Sequence, residues 1–80
     1  MTLSPTVLDF LNENARREGA GQPAPADDLF KVGALDSFSL VDLVALLEET
    51  YGIRIPDADL NATNFRSIQA IADYVETHKG

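Results

Sequence analysis

Gly33-Ala34-Leu35-Asp36-Ser37-Phe38 opens a run that continues Ser39-Leu40-Val41-Asp42-Leu43-Val44-Ala45-Leu46-Leu47-Glu48-Glu49-Thr50-Tyr51-Gly52, and the fold turns on how this stretch is read. Leu40, Leu43, Val44, Leu47 and Tyr51 recur at i, i+3, i+4 and i+7 spacing, the period of an amphipathic helix with one core face. Asp36-Ser37 stands where a helix N-cap belongs and Gly52 where a C-terminal stop belongs. The spacing predicts a helix from about Ser37 to Tyr51. Ser37 then sits at the positive end of the helix dipole, open to two readings. In the first, Asp36 or Ser37 is simply a cap, accepting hydrogen bonds from free backbone N–H groups. In the second, Ser37 is an attachment point, where an esterified phosphate would meet those N–H groups and a favourable dipole.

The same signals recur on either side. Ser4 before Pro5 starts a first helix, with Leu3 placed to staple against Leu8. Leu8, Leu11 and Ala15 follow at helical spacing with Val7 beside them, until Gly19-Ala20-Gly21 and the prolines at 23 and 25 break the pattern. Residues 19 to 36 form a long connection whose Leu29, Phe30 and Leu35 should pack on the core. After Ile53, Ile55 and Pro56, residues 57 to 65 hold one short helical turn at most, with Asp57 as its cap. Ser67 caps a last helix whose stripe is Ile68, Ile71, Ala72 and Val75. No period-two alternation and no internal repeat is visible. The expected fold is all-α: a small antiparallel bundle of three longer helices and one short one, forming a single domain over residues 1–80.

Composition narrows the function. Thirteen acids against six bases give a formal net charge of −7, a surface repelled by phosphate backbones and anionic lipid. Nucleic-acid binding and a membrane role are not expected; protein partners with basic patches are. Met1 is followed by polar Thr2, with no signal segment and no apolar run long enough for a bilayer, so a cytoplasmic protein is expected. There is no cysteine, hence no disulfide framework, thiolate metal site or protein thiol for catalysis.

The predicted second helix has two contrasting faces. Opposite its core stripe lie Phe38, Val41, Asp42, Ala45 and Glu49, with Glu48 at the margin. This face mixes apolar side chains with acids, and the Phe38 ring falls away from the core. Either the long connection folds back to cover Phe38, or the face docks a partner carrying an apolar patch rimmed with Lys and Arg. No base occurs between Lys31 and Arg54, while Asp36, Asp42, Glu48 and Glu49 all fall in that interval. Glu48 and Glu49 oppose the dipole near the helix end, where a helix selected only for stability would carry lysine.

Catalysis by Ser37 would need a general base oriented by a third group. The single histidine, His78, is read as an exposed tail residue, and no Gly-x-Ser-x-Gly elbow surrounds Ser37. Asp57-Ala58-Asp59-Leu60-Asn61 opens like a calcium loop. Ala62 then stands where the loop needs glycine and Ile68 where a closing glutamate is required, so no metal site is expected. If Ser37 takes part in chemistry, another protein supplies the base.

The residues taken together resemble the acyl carrier protein family over nearly the whole chain. Gly33-Ala34-Leu35-Asp36-Ser37-Phe38 matches the family's Gly-x-x-Asp-Ser-hydrophobic element. Leu43 to Pro56 looks like its second helix and the apolar-Pro lead into the third, and Ser67 to Val75 like its fourth helix. The resemblance implies that Ser37, preceded by Asp36, carries 4′-phosphopantetheine transferred from coenzyme A by a phosphopantetheinyl transferase. The arm's thiol would hold acyl or aminoacyl groups as thioesters, which accounts for a chain without cysteine. It also implies that Phe38, Val41, Asp42, Ala45, Glu48 and Glu49 form the partner-recognition face. Those partners would be a loading ligase or acyltransferase and a downstream synthase or transferase, met by a monomeric, non-catalytic carrier. Cargo would lie in a groove between helices two and three, lined by residues such as Leu47 and Ile55. Ser39 stands where fatty-acid-synthesis members carry an acid, and Ala45 where they often carry a larger apolar group. The Gly-x-Leu-Asp-Ser spacing looks more like D-alanyl carriers and other stand-alone carriers loaded by AMP-forming ligases. The alternative, from another class, is an unmodified acidic helical interaction domain binding a basic partner.

Overall fold

A computed structural model describes residues 2–79. Its helices are α1 (Pro5–Arg17), α2 (Ser37–Tyr51), α3 (Ala62–Phe65) and α4 (Ile68–His78), with a 3-10 turn at Asp57–Asp59 between α2 and α3. The described residues contain no strand, so the fold is the expected small helical bundle, with three longer helices and one short.

Local chemistry sets each boundary. Ser4 caps α1, its hydroxyl accepting the Val7 N–H at 3.4 Å, and Pro5 occupies the first turn. Ser67 caps α4 by accepting the Ala70 N–H at 3.0 Å. Gly52 ends α2 in the left-handed region at φ +66°, where a side chain would be strained. Between Pro56 and α4 the chain makes two short turns where one was expected. Pro56 precedes the 3-10 turn without a side-chain cap, so Asp57 is its first residue and not its cap. Asn61 caps α3 through the Asn64 N–H at 2.9 Å.

The core is continuous across the elements. Leu11, Ala15, Leu29, Ala34, Leu43, Leu47, Phe65, Ile71 and Val75 are all fully buried. Leu3 is buried as expected, but Val7, not Leu8, is the innermost residue of the first turns of α1, and Leu8 is only half-buried. Tyr51, expected in the core face, lies at its edge. It is half-buried, and its phenol oxygen accepts the Ser4 N–H at 2.8 Å, tying the end of α2 to the start of α1.

The long connection packs down instead of hanging free. Leu29 and Leu35 are buried and Phe30 is half-buried. Backbone bonds stitch the connection to the start of α4: the Leu29 N–H donates to the Arg66 carbonyl at 2.7 Å, and the Gln69 N–H to the Pro25 carbonyl at 3.0 Å. This docking places residues 33–36 directly ahead of α2.

His78 is exposed at the last residue of α4, as expected of a tail residue, but it is not without contacts. Its ring stacks on Tyr74 with centroids 3.9 Å apart, and its Nδ1 lies 2.8 Å from the Tyr74 carbonyl oxygen. Tyr74 is itself buried, and its hydroxyl donates to Asp59 Oδ2 at 2.7 Å, holding the 3-10 turn against α4. Burial, then the bond to Asp59 and the charges of Asp59 and Glu48, push the phenol from its ordinary 10.0 up to about 12. A raised folded-state value stabilises the fold fully below the unfolded-state value and is lost as pH climbs through the folded one. Urea midpoints are therefore expected to fall more steeply between pH 10.0 and about 12 in the native chain than in Tyr74→Phe. Parallel curves would show that the phenol contributes nothing to this dependence.

Candidate functional site

The start of α2 is built by Asp36, not Ser37. One Asp36 carboxylate oxygen accepts the Phe38 N–H at 2.9 Å and the Ser39 N–H at 2.8 Å. Ser39 replies: its hydroxyl accepts the Asp36 N–H at 2.8 Å and donates to the same carboxylate at 3.1 Å. This is a capping box closed by serine, a short side chain in the place usually held by glutamate or glutamine. The Ser39 backbone and side-chain bonds, with a smaller share from Phe38, hold the Asp36 carboxyl below its ordinary value. The position flagged as a departure in sequence is thus a structural partner of the cap.

Ser37 is left over from this arrangement. It is exposed, and its hydroxyl has no hydrogen-bonding partner among the described residues. The Asp36 bonds all go to neighbouring groups, and no side chain in the described residues is hydrogen-bonded to the Ser37 hydroxyl. The arrangement presents a hydroxyl to solvent at a helix start and supplies nothing to activate it.

Along α2 the outer face carries Phe38, 85% exposed, and Val41, 60% exposed. The long connection therefore does not fold back over Phe38. Asp42, Ala45 and Glu49 are exposed beside them. Glu48 lies at the margin as expected, half-buried, and its Oε2 accepts the Ile55 N–H at 2.8 Å. That bond crosses the end of α2 and fixes the path of the following loop. Sequence spacing had no means of finding it, because its acceptor and donor belong to different elements.

Beside this face lies an open groove of about 490 Å³ lined by Val41, Val44, Ala45 and Glu48 of α2 and by Arg54, Ile55, Pro56, Asp57 and Leu60 of the loop. Ile55 lines it as expected. Leu47 does not, being fully buried. Among the described residues there is no group of three or more potential metal ligands and no helix long and apolar enough to cross a membrane.

The start and outer face of α2 thus combine an unengaged hydroxyl with apolar side chains rimmed by acids. The family model described as "phosphopantetheine attachment site" matches residues 5–75. An acyl carrier protein of Bdellovibrio bacteriovorus is 33% identical over 76 residues, covering 95% of this chain and 94% of that one. A D-alanyl carrier protein of Streptococcus pyogenes serotype M5 is 34% identical over 50 residues, 62% of this chain and 63% of that one. No solved structure matches significantly. The chain belongs to the phosphopantetheine carrier protein family. Its function is that of a carrier and not an enzyme, and the group it works with is covalently attached 4′-phosphopantetheine. The residues present fit such a group: a free hydroxyl stands in solvent at the start of α2, and the chain has no thiol of its own.

Proposed function

We propose that Ser37 is the attachment residue and that residues 1–80 work as one unit presenting acyl or aminoacyl thioesters to partner enzymes. The observation that carries this is the exposed Ser37 hydroxyl, unpartnered beside a cap made by Asp36 and Ser39. In the loading step a base on the transferase takes the Ser37 proton. Ser37 Oγ attacks the pantetheine-side phosphorus of coenzyme A, and the bond to the departing adenosine 3′,5′-bisphosphate breaks. The installed arm supplies a thiol; this chain supplies a fixed tether and a surface. Phe38, Val41, Asp42, Ala45 and Glu49 form the docking face, and Glu48 shapes the groove beside it.

The loading partner is read as a stand-alone AMP-forming ligase in a specialised cytoplasmic pathway. Support comes from the Gly-x-Leu-Asp-Ser spacing and from the partial similarity to D-alanyl carrier proteins. The decisive experiment is to incubate the chain with coenzyme A and a broad-specificity phosphopantetheinyl transferase, then measure intact mass and map the modified peptide. A chain that gains no phosphopantetheine mass, or gains it away from Ser37, overturns the reading.

The exposure of Phe38 favours one alternative, an unmodified interaction domain that uses the same face. It predicts partner binding indifferent to Ser37→Ala and lost on Phe38→Ala. On the carrier reading, Val41→Arg should leave helix content unchanged, because the side chain is 60% exposed. It should cut kcat/KM for loading by about tenfold, through a cation set against a basic partner. Lost helix in circular dichroism would mean that Val41 serves the core.

A further inference from the structure

Asn14 occupies a core position of α1 that an apolar residue would fill at less cost. Val7, Leu11 and Ala15 beside it are fully buried, and Asn14 is 9% exposed. Asparagine is a poor residue for a helix interior, and burying its amide is unfavourable unless every polar atom is paired. Both are paired. Nδ2 donates to the Ala34 carbonyl at 3.1 Å, and Oδ1 accepts from the Arg17 guanidinium at 2.7 Å. Only one orientation of the amide satisfies a carbonyl on one side and a guanidinium on the other. The bond to Ala34 spans 20 residues and reaches the loop just ahead of Ser37.

The same loop also runs close against Glu18, the residue that ends α1. Gly33 has φ +85°, and a Cβ there would lie 2.8 Å from both Cβ and Cγ of Glu18. The Leu35 N–H donates to the Leu29 carbonyl at 3.1 Å. Ala34 and Leu35 are thus each hydrogen-bonded, and Gly33 closely approached by Glu18, before Asp36 begins the cap.

We infer that Asn14, braced by Arg17, is a positioning residue for Ser37: it clamps the loop from which α2 starts, so that the hydroxyl is presented to the transferase in one orientation. This rests on the reading of Ser37 as the attachment residue. An amide placed in an otherwise apolar stripe is then explained by presentation of the site and not by core stability.

The test compares Asn14→Leu with Val75→Ala, a core variant on α4, each at a temperature where it is fully folded. Loading kinetics and amide hydrogen exchange at residues 35–38 are measured in both. Asn14→Leu is expected to lower kcat/KM for loading by about tenfold, as small misplacements of a reacting group do, and to speed exchange at residues 35–38. Val75→Ala should load at the native rate. Equal loading and unchanged exchange in the two variants would overturn the inference. If Asn14→Leu does not fold, Arg17→Ala takes its place, since Arg17 is exposed. It should change both readouts in the same direction by less, and unchanged values would again overturn the inference. A native chain that cannot be loaded would refute the reading of Ser37, while the exchange data would still decide whether the clamp exists.

Discussion

Leu43→Ala is expected to destabilise the fold by about 2–5 kcal/mol, the range for truncating a leucine in a core that relaxes only partly around the cavity. Leu43 is fully buried at the middle of α2, with Leu40, Val44 and Leu47 on the same face and α1 packed against the helix. A domain of this length has about 4–12 kcal/mol of stability in total, so the loss is a large fraction of it. The chain has no disulfide to limit the damage. Urea unfolding followed by circular dichroism measures the effect directly. A change below about 1 kcal/mol would place Leu43 outside the tightly packed interior. Loading should suffer only through the unfolded fraction, because Leu43 does not reach the outer face. Val41→Arg is its complement: one position inward of the surface affects folding, and one on it affects recognition.

The contrast shows why so much of this fold is legible in the sequence. Helix boundaries are local chemistry, and Ser4-Pro5, Asp36-Ser37, Gly52 and Ser67 each announce a start or stop through their own side chain or backbone freedom. The two faces of α2 follow from a period alone, which is how Phe38 was placed away from the core. What stayed hidden are bonds between distant positions. Asn14 reads as polar and therefore exposed until Ala34 is brought beside it. Glu48 reads as a surface acid until the loop after α2 turns its Ile55 N–H back toward it. The contacts among Tyr74, Asp59 and His78 gave no signal because they depend on how the 3-10 turn docks on α4. The groove came from the family resemblance and not from spacing: Ile55 lines it as the resemblance implies, whereas Leu47 is buried by the packing of the whole bundle.

Ser37→Ala is expected to abolish phosphopantetheine loading completely while leaving the fold untouched, and the pairing of those two outcomes is what gives the experiment its force. Loss of loading alone would follow from any change that unfolded α2. Here the structure predicts that it does not unfold. The cap is made by Asp36 and Ser39, whose bonds to the Phe38, Ser39 and Asp36 backbone groups survive the substitution. The Ser37 hydroxyl has no hydrogen-bonding partner among the described residues, so its removal leaves no polar group stranded. Alanine is also the better helix former. Unfolding free energy should therefore stay within about 0.5 kcal/mol of the native value, as for surface changes away from special features. Asp36→Ala makes the converse case, since it keeps the hydroxyl and removes the cap. It should lower stability and slow loading without eliminating it. If Ser37→Ala destabilised the chain and Asp36→Ala did not, the cap would belong to Ser37. The hydroxyl would then already be engaged by the fold, and no longer free to serve as a tether.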